Sequence, residues 1–156
     1  ETDALYPEET NQIILNENKE AYSCSFLCDR LRLENAKAFG TYGSDFYAGE
    51  PCVTVNEYGK GKAYYLGTQP DEAFLKIFVH KVCEETNVHQ VLQVEEGIEV
   101  TSRENENGKF YFVMNHNAAE KQIVLPEGKW ENLIGAQPEN EKLILKARDV
   151  AVLKRR

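Results

Sequence analysis

Between Asp45 and Thr68 the chain reads Asp-Phe-Tyr-Ala-Gly-Glu-Pro-Cys-Val-Thr-Val-Asn-Glu-Tyr-Gly-Lys-Gly-Lys-Ala-Tyr-Tyr-Leu-Gly-Thr. This stretch constrains the fold most. Cys52 to Asn56 is short and rich in β-branched residues, and Ala63 to Leu66 is an apolar, aromatic partner for it. Gly59 and Gly61 supply the backbone freedom of a tight reversal, so a β-hairpin is expected. Gly67-Thr68-Gln69-Pro70-Asp71 then ends the second strand and opens a helix. Thr68 is the expected cap, with Pro70 in the first turn and Asp71 three residues on.

On either side of the hairpin the apolar pattern suggests more elements. Asn11 to Leu15 reads as a short buried strand. Glu20 to about Arg32 is expected to be helical, because Cys24, Leu27, Cys28 and Leu31 form one stripe at 100° per residue. Tyr22, Phe26 and Leu33 fall on the opposite side of that helix. A sheet covers only one face, so these three are the candidate contact with another subunit or domain. Asn35 to Tyr42 reads as a strand, and Pro70 to Thr86 as a second helix carrying Phe74, Leu75, Phe78, Val79, Val82 and Cys83 on one side. Asn87 is its expected stop. Residues 1–88 are therefore expected to form an α/β sandwich, with helices on the faces of a mixed sheet. After Val88 the pattern changes to short strands between turn signals: 97–102, 109–115, 122–125, 130–134, 141–145 and 149–153. Residues 89–156 are expected to be a small antiparallel β-sandwich.

A chain of 156 residues fits one domain or two small ones. Its net charge of −8 argues against a nucleic-acid partner, since that binding needs lysines and arginines to neutralise phosphates. The terminal Lys154-Arg155-Arg156 reads as a solvated tail. No apolar run approaches the roughly 20 residues of a membrane span, so no membrane partner is expected. Glu1-Thr2-Asp3 has neither a basic end nor an apolar core, and Met114 is the only methionine. The expectation is a piece of something longer. Of the four cysteines, Cys24 and Cys28 are expected on one helix face, Cys83 on another helix and Cys52 on a strand. Such thiols suit a core in a reducing compartment, and a cytoplasmic location is expected.

Phe46-Tyr47-Ala48-Gly49, then Thr54-Val55-Asn56, then Tyr58-Gly59-Lys60-Gly61-Lys62-Ala63-Tyr64-Tyr65 resembles the trimerisation domain of bacterial β-galactosidases of glycoside hydrolase family 42. The order and spacing of these pieces carry the resemblance. It runs from Asp3-Ala4-Leu5-Tyr6-Pro7 to the tail, where the last third resembles the same family's small C-terminal β-domain. The resemblance implies a flavodoxin-like or glutamine-amidotransferase-like fold for the first domain. It also implies a homo-oligomer, trimeric in the family, and a TIM barrel N-terminal to this chain. In that family the two catalytic glutamates stand on the barrel, so no catalytic residue is carried onto these positions.

A search for chemistry in the residues themselves agrees with that. Glu8-Glu9, Glu84-Glu85 and Glu95-Glu96 are sequence neighbours, which cannot flank a sugar from two sides. None of the cysteines sits on a glycine-flanked strand-to-helix elbow of the kind a nucleophile uses. Cys24 and Cys28 have an i, i+4 spacing, yet no His lies near them in sequence, so they are read as core packing rather than metal ligands, and no cofactor is implied. Gly59-Lys60-Gly61-Lys62 lacks the full phosphate-loop pattern and is read as a turn. Tyr47, Tyr58, Tyr64, Tyr65 and Trp130 could make a sugar-stacking platform. The expectation is a non-catalytic, assembly-directing fragment of a β-galactosidase. A carbohydrate-binding module and a degenerate amidotransferase-like enzyme are the alternatives.

Overall fold

Asn11, Ile13 and Leu15 are buried while Gln12 is exposed, the period of two that a half-covered strand requires. This strand, β2 (Asn11–Leu15), lies inside a seven-stranded sheet of the computed structural model, which describes residues 1–155. Its companions are β1 (Thr2–Ala4), β3 (Ala21–Asp29), β4 (Lys37–Tyr42), β5 (Pro51–Tyr58), β6 (Gly61–Leu66) and β7 (Thr68–Pro70). The order is β1-β3-β2-β4-β5-β6, and β7 pairs with β3. Every one of these pairings is antiparallel. Strands β5 and β6 form the hairpin, reversing at Gly59, whose φ of +60° is the left-handed conformation such a turn needs. One helix, α1 (Glu72–Glu85), lays Phe74 and Phe78 onto the core of Ile13, Leu15, Cys24, Tyr42 and Val53.

The expected α/β sandwich, and with it the flavodoxin-like or glutamine-amidotransferase-like fold that the resemblance implied, is therefore overturned. The segment expected to be the first helix is β3, and the first unit is an antiparallel sheet with a single helix. Residues four apart lie on one side of a strand as well as of a helix, so Cys24 and Cys28 could not separate the two. Tyr22 and Cys24 follow the strand alternation, both on the covered side, while Ser23 is exposed. The alternation then breaks at a bulge. From Ser25↔Gln69 to Cys28↔Thr68, β3 advances three residues while β7 advances one. Phe26 and Leu27 are the two extra residues. Phe26 takes φ +70° and turns outward, which leaves Cys24 and Cys28 both buried. The cap of α1 also differs. Thr68 to Pro70 is a strand, and Asp71 is the N-cap, accepting the Phe74 N–H at 2.8 Å. Asn87, just past the Thr86 C-cap, has φ +57°, the left-handed residue that ends a helix.

Residues 1–87 and 88–156 form separate compact units. In the second, β8 (Ile98–Asn105), β9 (Gly108–Asn115), β11 (Trp130–Asn132) and β13 (Val150–Arg155) make a four-stranded sheet, ordered β11-β13-β9-β8. Strands β10 (Lys121–Val124) and β12 (Lys142–Leu145) pair separately. Both sheets contribute to one core, with Tyr111, Val113 and Leu153 from the first and Ile123, Leu143 and Leu145 from the second. Lys154 and Arg155 are not a solvated tail. They close β13, with the Lys154 ammonium over Phe110 and the Arg155 guanidinium over Trp130. Arg156 lies outside the described residues.

Candidate subunit interface

Since β3 is a strand, Tyr22, Phe26 and Leu33 do not share a helix face. Each has its own setting. Tyr22 turns towards α1, its ring 5.7 Å from that of Phe74 at an interplanar angle of 74°, and its hydroxyl donates to Glu20 at 2.7 Å. It belongs to the partly buried margin of the first core. Leu33 lies beyond β3 in the segment leading to β4, beside a shallow groove of about 380 Å³ whose walls include Leu31, Thr54, Asn56 and Tyr65. Phe26 stands on the bulge and is 66% exposed. A left-handed backbone costs a residue with a Cβ about 1–2 kcal/mol, and a bulky side chain there is an outlier.

The bulge is hydrogen-bonded into the sheet on both sides. The Phe26 carbonyl accepts the Leu5 N–H at 3.0 Å, and β1 continues the ladder from Ala4↔Leu27 to Thr2↔Asp29. At the end of β3, Arg30 grips Glu50 through two hydrogen bonds of 3.0 and 2.7 Å and reaches Glu1 at 3.0 Å. The guanidinium holds the Glu50 carboxyl below the usual carboxylate range. It also lies 5.2 Å from the centre of the Phe46 ring. The Asp29 carboxylate accepts from the Thr2 and Tyr65 hydroxyls, and these bonds lower its pKa.

The Phe46-Tyr47-Ala48-Gly49 motif is a plug at this end of the sheet. Tyr47 is fully buried against Tyr42, with ring centres 5.0 Å apart, and its hydroxyl donates to Asp3 at 3.1 Å. Phe46 remains 72% exposed. Buried Asn11 organises the loop, accepting the Ser44 N–H at 3.0 Å and the Ser44 hydroxyl at 2.7 Å, and donating to the Ser44 carbonyl. Sequence reading missed Asn11. It sits at the first position of a strand, where only the three-dimensional approach of Ser44 gives it work.

The other candidates for chemistry resolve into packing. Cys24, Cys28 and Cys52 are buried around Tyr42, and burial pushes the Cys52 thiol up to about 12 and raises that of Cys24. A thiol raised this way stays protonated and is a poor nucleophile. Tyr64 packs between Phe39 and Phe78. Tyr65 points away from that cluster and donates to Asp29. Trp130 meets Tyr111 edge-on, lies beneath Arg155 and donates its indole N–H to the Pro126 carbonyl at 2.8 Å. Tyr47 is buried as well, so Tyr47, Tyr64, Tyr65 and Trp130 are each engaged by packing or hydrogen bonds within their own unit. Glu85 accepts from Lys62 at 2.9 Å and Tyr64 at 2.7 Å, which lowers its pKa and ties α1 to β6. Among the described residues no helix is long and apolar enough to cross a membrane.

Residues 1–89 match the β-galactosidase trimerisation domain of glycoside hydrolase family 42, and residues 97–155 match the β-galactosidase C-terminal domain of the same family. The chain is 42% identical to β-galactosidase BgaP of Planococcus sp. strain L4, over 98% of this chain and 23% of that protein. It is 38% identical to β-galactosidase BgaB of a Geobacillus species, over 96% of this chain and 22% of that protein. Among solved structures, the β-galactosidase of Bacillus circulans sp. alkalophilus superposes with a TM-score of 0.91 at 34% identity. That match covers 100% of this chain and 24% of the other. The chain thus spans about a quarter of the length of these relatives.

Proposed function

Because the chain belongs to the family-42 β-galactosidases, through their trimerisation and C-terminal domains, we propose that it serves such an enzyme by contact rather than by reaction. The parent hydrolyses terminal β-galactosyl residues. It does so by the retaining route, in which one carboxylic acid protonates the leaving oxygen and a second carboxylate, about 5 Å away, attacks the anomeric carbon. Both carboxylates stand on an N-terminal barrel, a fold of about 250 residues that this chain does not contain. The first unit joins subunits into a trimer that works in the cytoplasm, where buried thiols remain reduced.

The observation that carries this reading is alignment over 98% of the chain with only 23% of a β-galactosidase. The test compares the full-length protein with residues 1–156 alone, using a chromogenic β-galactoside and light scattering. The full-length protein is expected to cleave the substrate and to scatter light with the mass of a trimer, and the 156-residue chain to release nothing. Galactose release by the chain alone, or a monomeric full-length enzyme, overturns it.

A further inference from the structure

Among the described non-glycine residues with positive φ, Phe26 is the only aromatic. The others are Lys19, Asp45, Asn87, Asn140, Glu141 and Arg148, polar side chains that lose nothing by facing water. Phe26 combines two unfavourable features: a backbone that suits glycine or asparagine, and an aromatic side chain on a residue left 66% exposed. Neither helps this chain to fold. The bulge that produces them is held on both sides, by the Leu5 N–H bonded to the Phe26 carbonyl and by β7 pairing at Ser25 and Cys28. The ring is therefore presented by backbone that is hydrogen-bonded on both sides. Tyr6, the residue after Leu5, adds a second exposed ring near the same ladder.

We infer that Phe26 is an anchor that seats against a second copy of this chain, the bulge being the device that aims it. The inference rests on the assembly reading above and deepens it to a residue. The occupant is a second copy because the whole unit that carries Phe26 matches a trimerisation domain. A closed ring of three joins two unlike surfaces at each contact, so a ring protruding from one subunit needs no mate like itself. Rigid aromatic anchors of this kind concentrate binding free energy in few residues.

Phe26→Asn separates folding from association, because asparagine accepts the left-handed backbone and has no ring to bury. In the full-length protein, sedimentation velocity across a dilution series is expected to show subunit dissociation at a concentration at least tenfold higher than for the unsubstituted protein. Hydrogen exchange on the same variant, measured at a concentration where both proteins are fully assembled, is expected to slow about fivefold in β3 and β7, since strain has been removed. Tyr58→Ser, which deletes an 81% exposed ring at the hairpin tip, serves as the control and should leave association unchanged. Unchanged dissociation in Phe26→Asn, faster exchange in β3, or an equal loss in Tyr58→Ser overturns the inference while leaving the assembly reading intact. A monomeric unsubstituted protein overturns the assembly reading itself.

Discussion

Asn115 is 2% exposed, and its amide faces three carbonyls, those of Ala119 at 2.9 Å, Leu145 at 3.2 Å and Lys146 at 2.8 Å. Its side-chain oxygen accepts the Asn117 N–H at 2.9 Å. One side chain thus joins the end of β9 to the turn after it and to the end of β12. Asn115→Ala strands buried carbonyls and is expected to cost about 2–3 kcal/mol in urea unfolding. Asn115→Asp should cost more, because a carboxylate would then face carbonyl oxygens. That environment raises the carboxyl pKa in the folded state, so stability is lost as pH rises through the ordinary carboxylate range. The deficit of the aspartate variant should therefore grow from about pH 4 to about pH 8, while that of alanine stays level. A flat aspartate profile would mean the amide does not face those oxygens. In the sequence Asn115 sits at the edge of a turn and looks like any turn residue. Its three acceptors come from 4, 30 and 31 residues away, separations that local pattern does not reach. Phe26 was singled out by its place in the pattern, but its left-handed backbone was not legible.

At the scale of elements, the strands whose alternation survives intact could be read directly. In β9, Tyr111 and Val113 are buried between the more exposed Phe110, Phe112 and Met114, a period of two visible in the letters. Strand β3 failed that reading because its bulge replaces the alternation with a spacing of four. Helix α1 was legible from its Phe74–Phe78 stripe, yet its cap was assigned three residues early. Asp71 does two jobs that a local cap rule does not foresee. It accepts the Phe74 N–H and also the Ser23 N–H of β3 at 3.0 Å, fixing the helix start to the sheet. Asp71→Ala is expected to cost about 1–2 kcal/mol in urea unfolding, and Asp71→Ser, a good cap too short to reach β3, less. Equal losses would show that the cap itself contributes nothing, and an unaffected serine variant that the Ser23 bond contributes nothing. The far end of α1 is held by Glu85. Hydrogen bonds from Lys62 and Tyr64 lower its pKa, so the carboxylate stabilises the fold above the ordinary carboxylate range. That stability is lost as pH falls through the depressed folded value. Glu85→Gln should flatten the acid limb of the unfolding midpoint below about pH 5. An unchanged slope would place the acid sensitivity elsewhere.

For the whole molecule, the cysteines offer a reporter of one unit only. All four, Cys24, Cys28, Cys52 and Cys83, lie in the first unit, and the second has none. Cys24, Cys28 and Cys52 are buried in the sheet core, whereas Cys83 on α1 is half-buried. Alkylation with iodoacetamide requires a thiolate in contact with reagent, so a buried thiol reacts only through opening of the structure. One equivalent is expected to react first, at Cys83. The remaining three should follow together, at a rate that rises with urea. Four thiols modified at one common rate would refute a core built around three of them. Alkali should have a related effect. Burial holds the Cys52 thiol at about 12, while an unfolded thiol ionises near about 8.5, so the unfolded state sheds its proton first. The stability from this group is complete below that unfolded value and falls as pH rises toward the folded one. Between about pH 8 and about pH 10 the slow alkylation phase should therefore accelerate beyond what reagent chemistry alone gives. Cys52→Ala should remove part of that acceleration while leaving the fast Cys83 phase as it was. Loss of the fast phase instead would mean that α1 itself had rearranged.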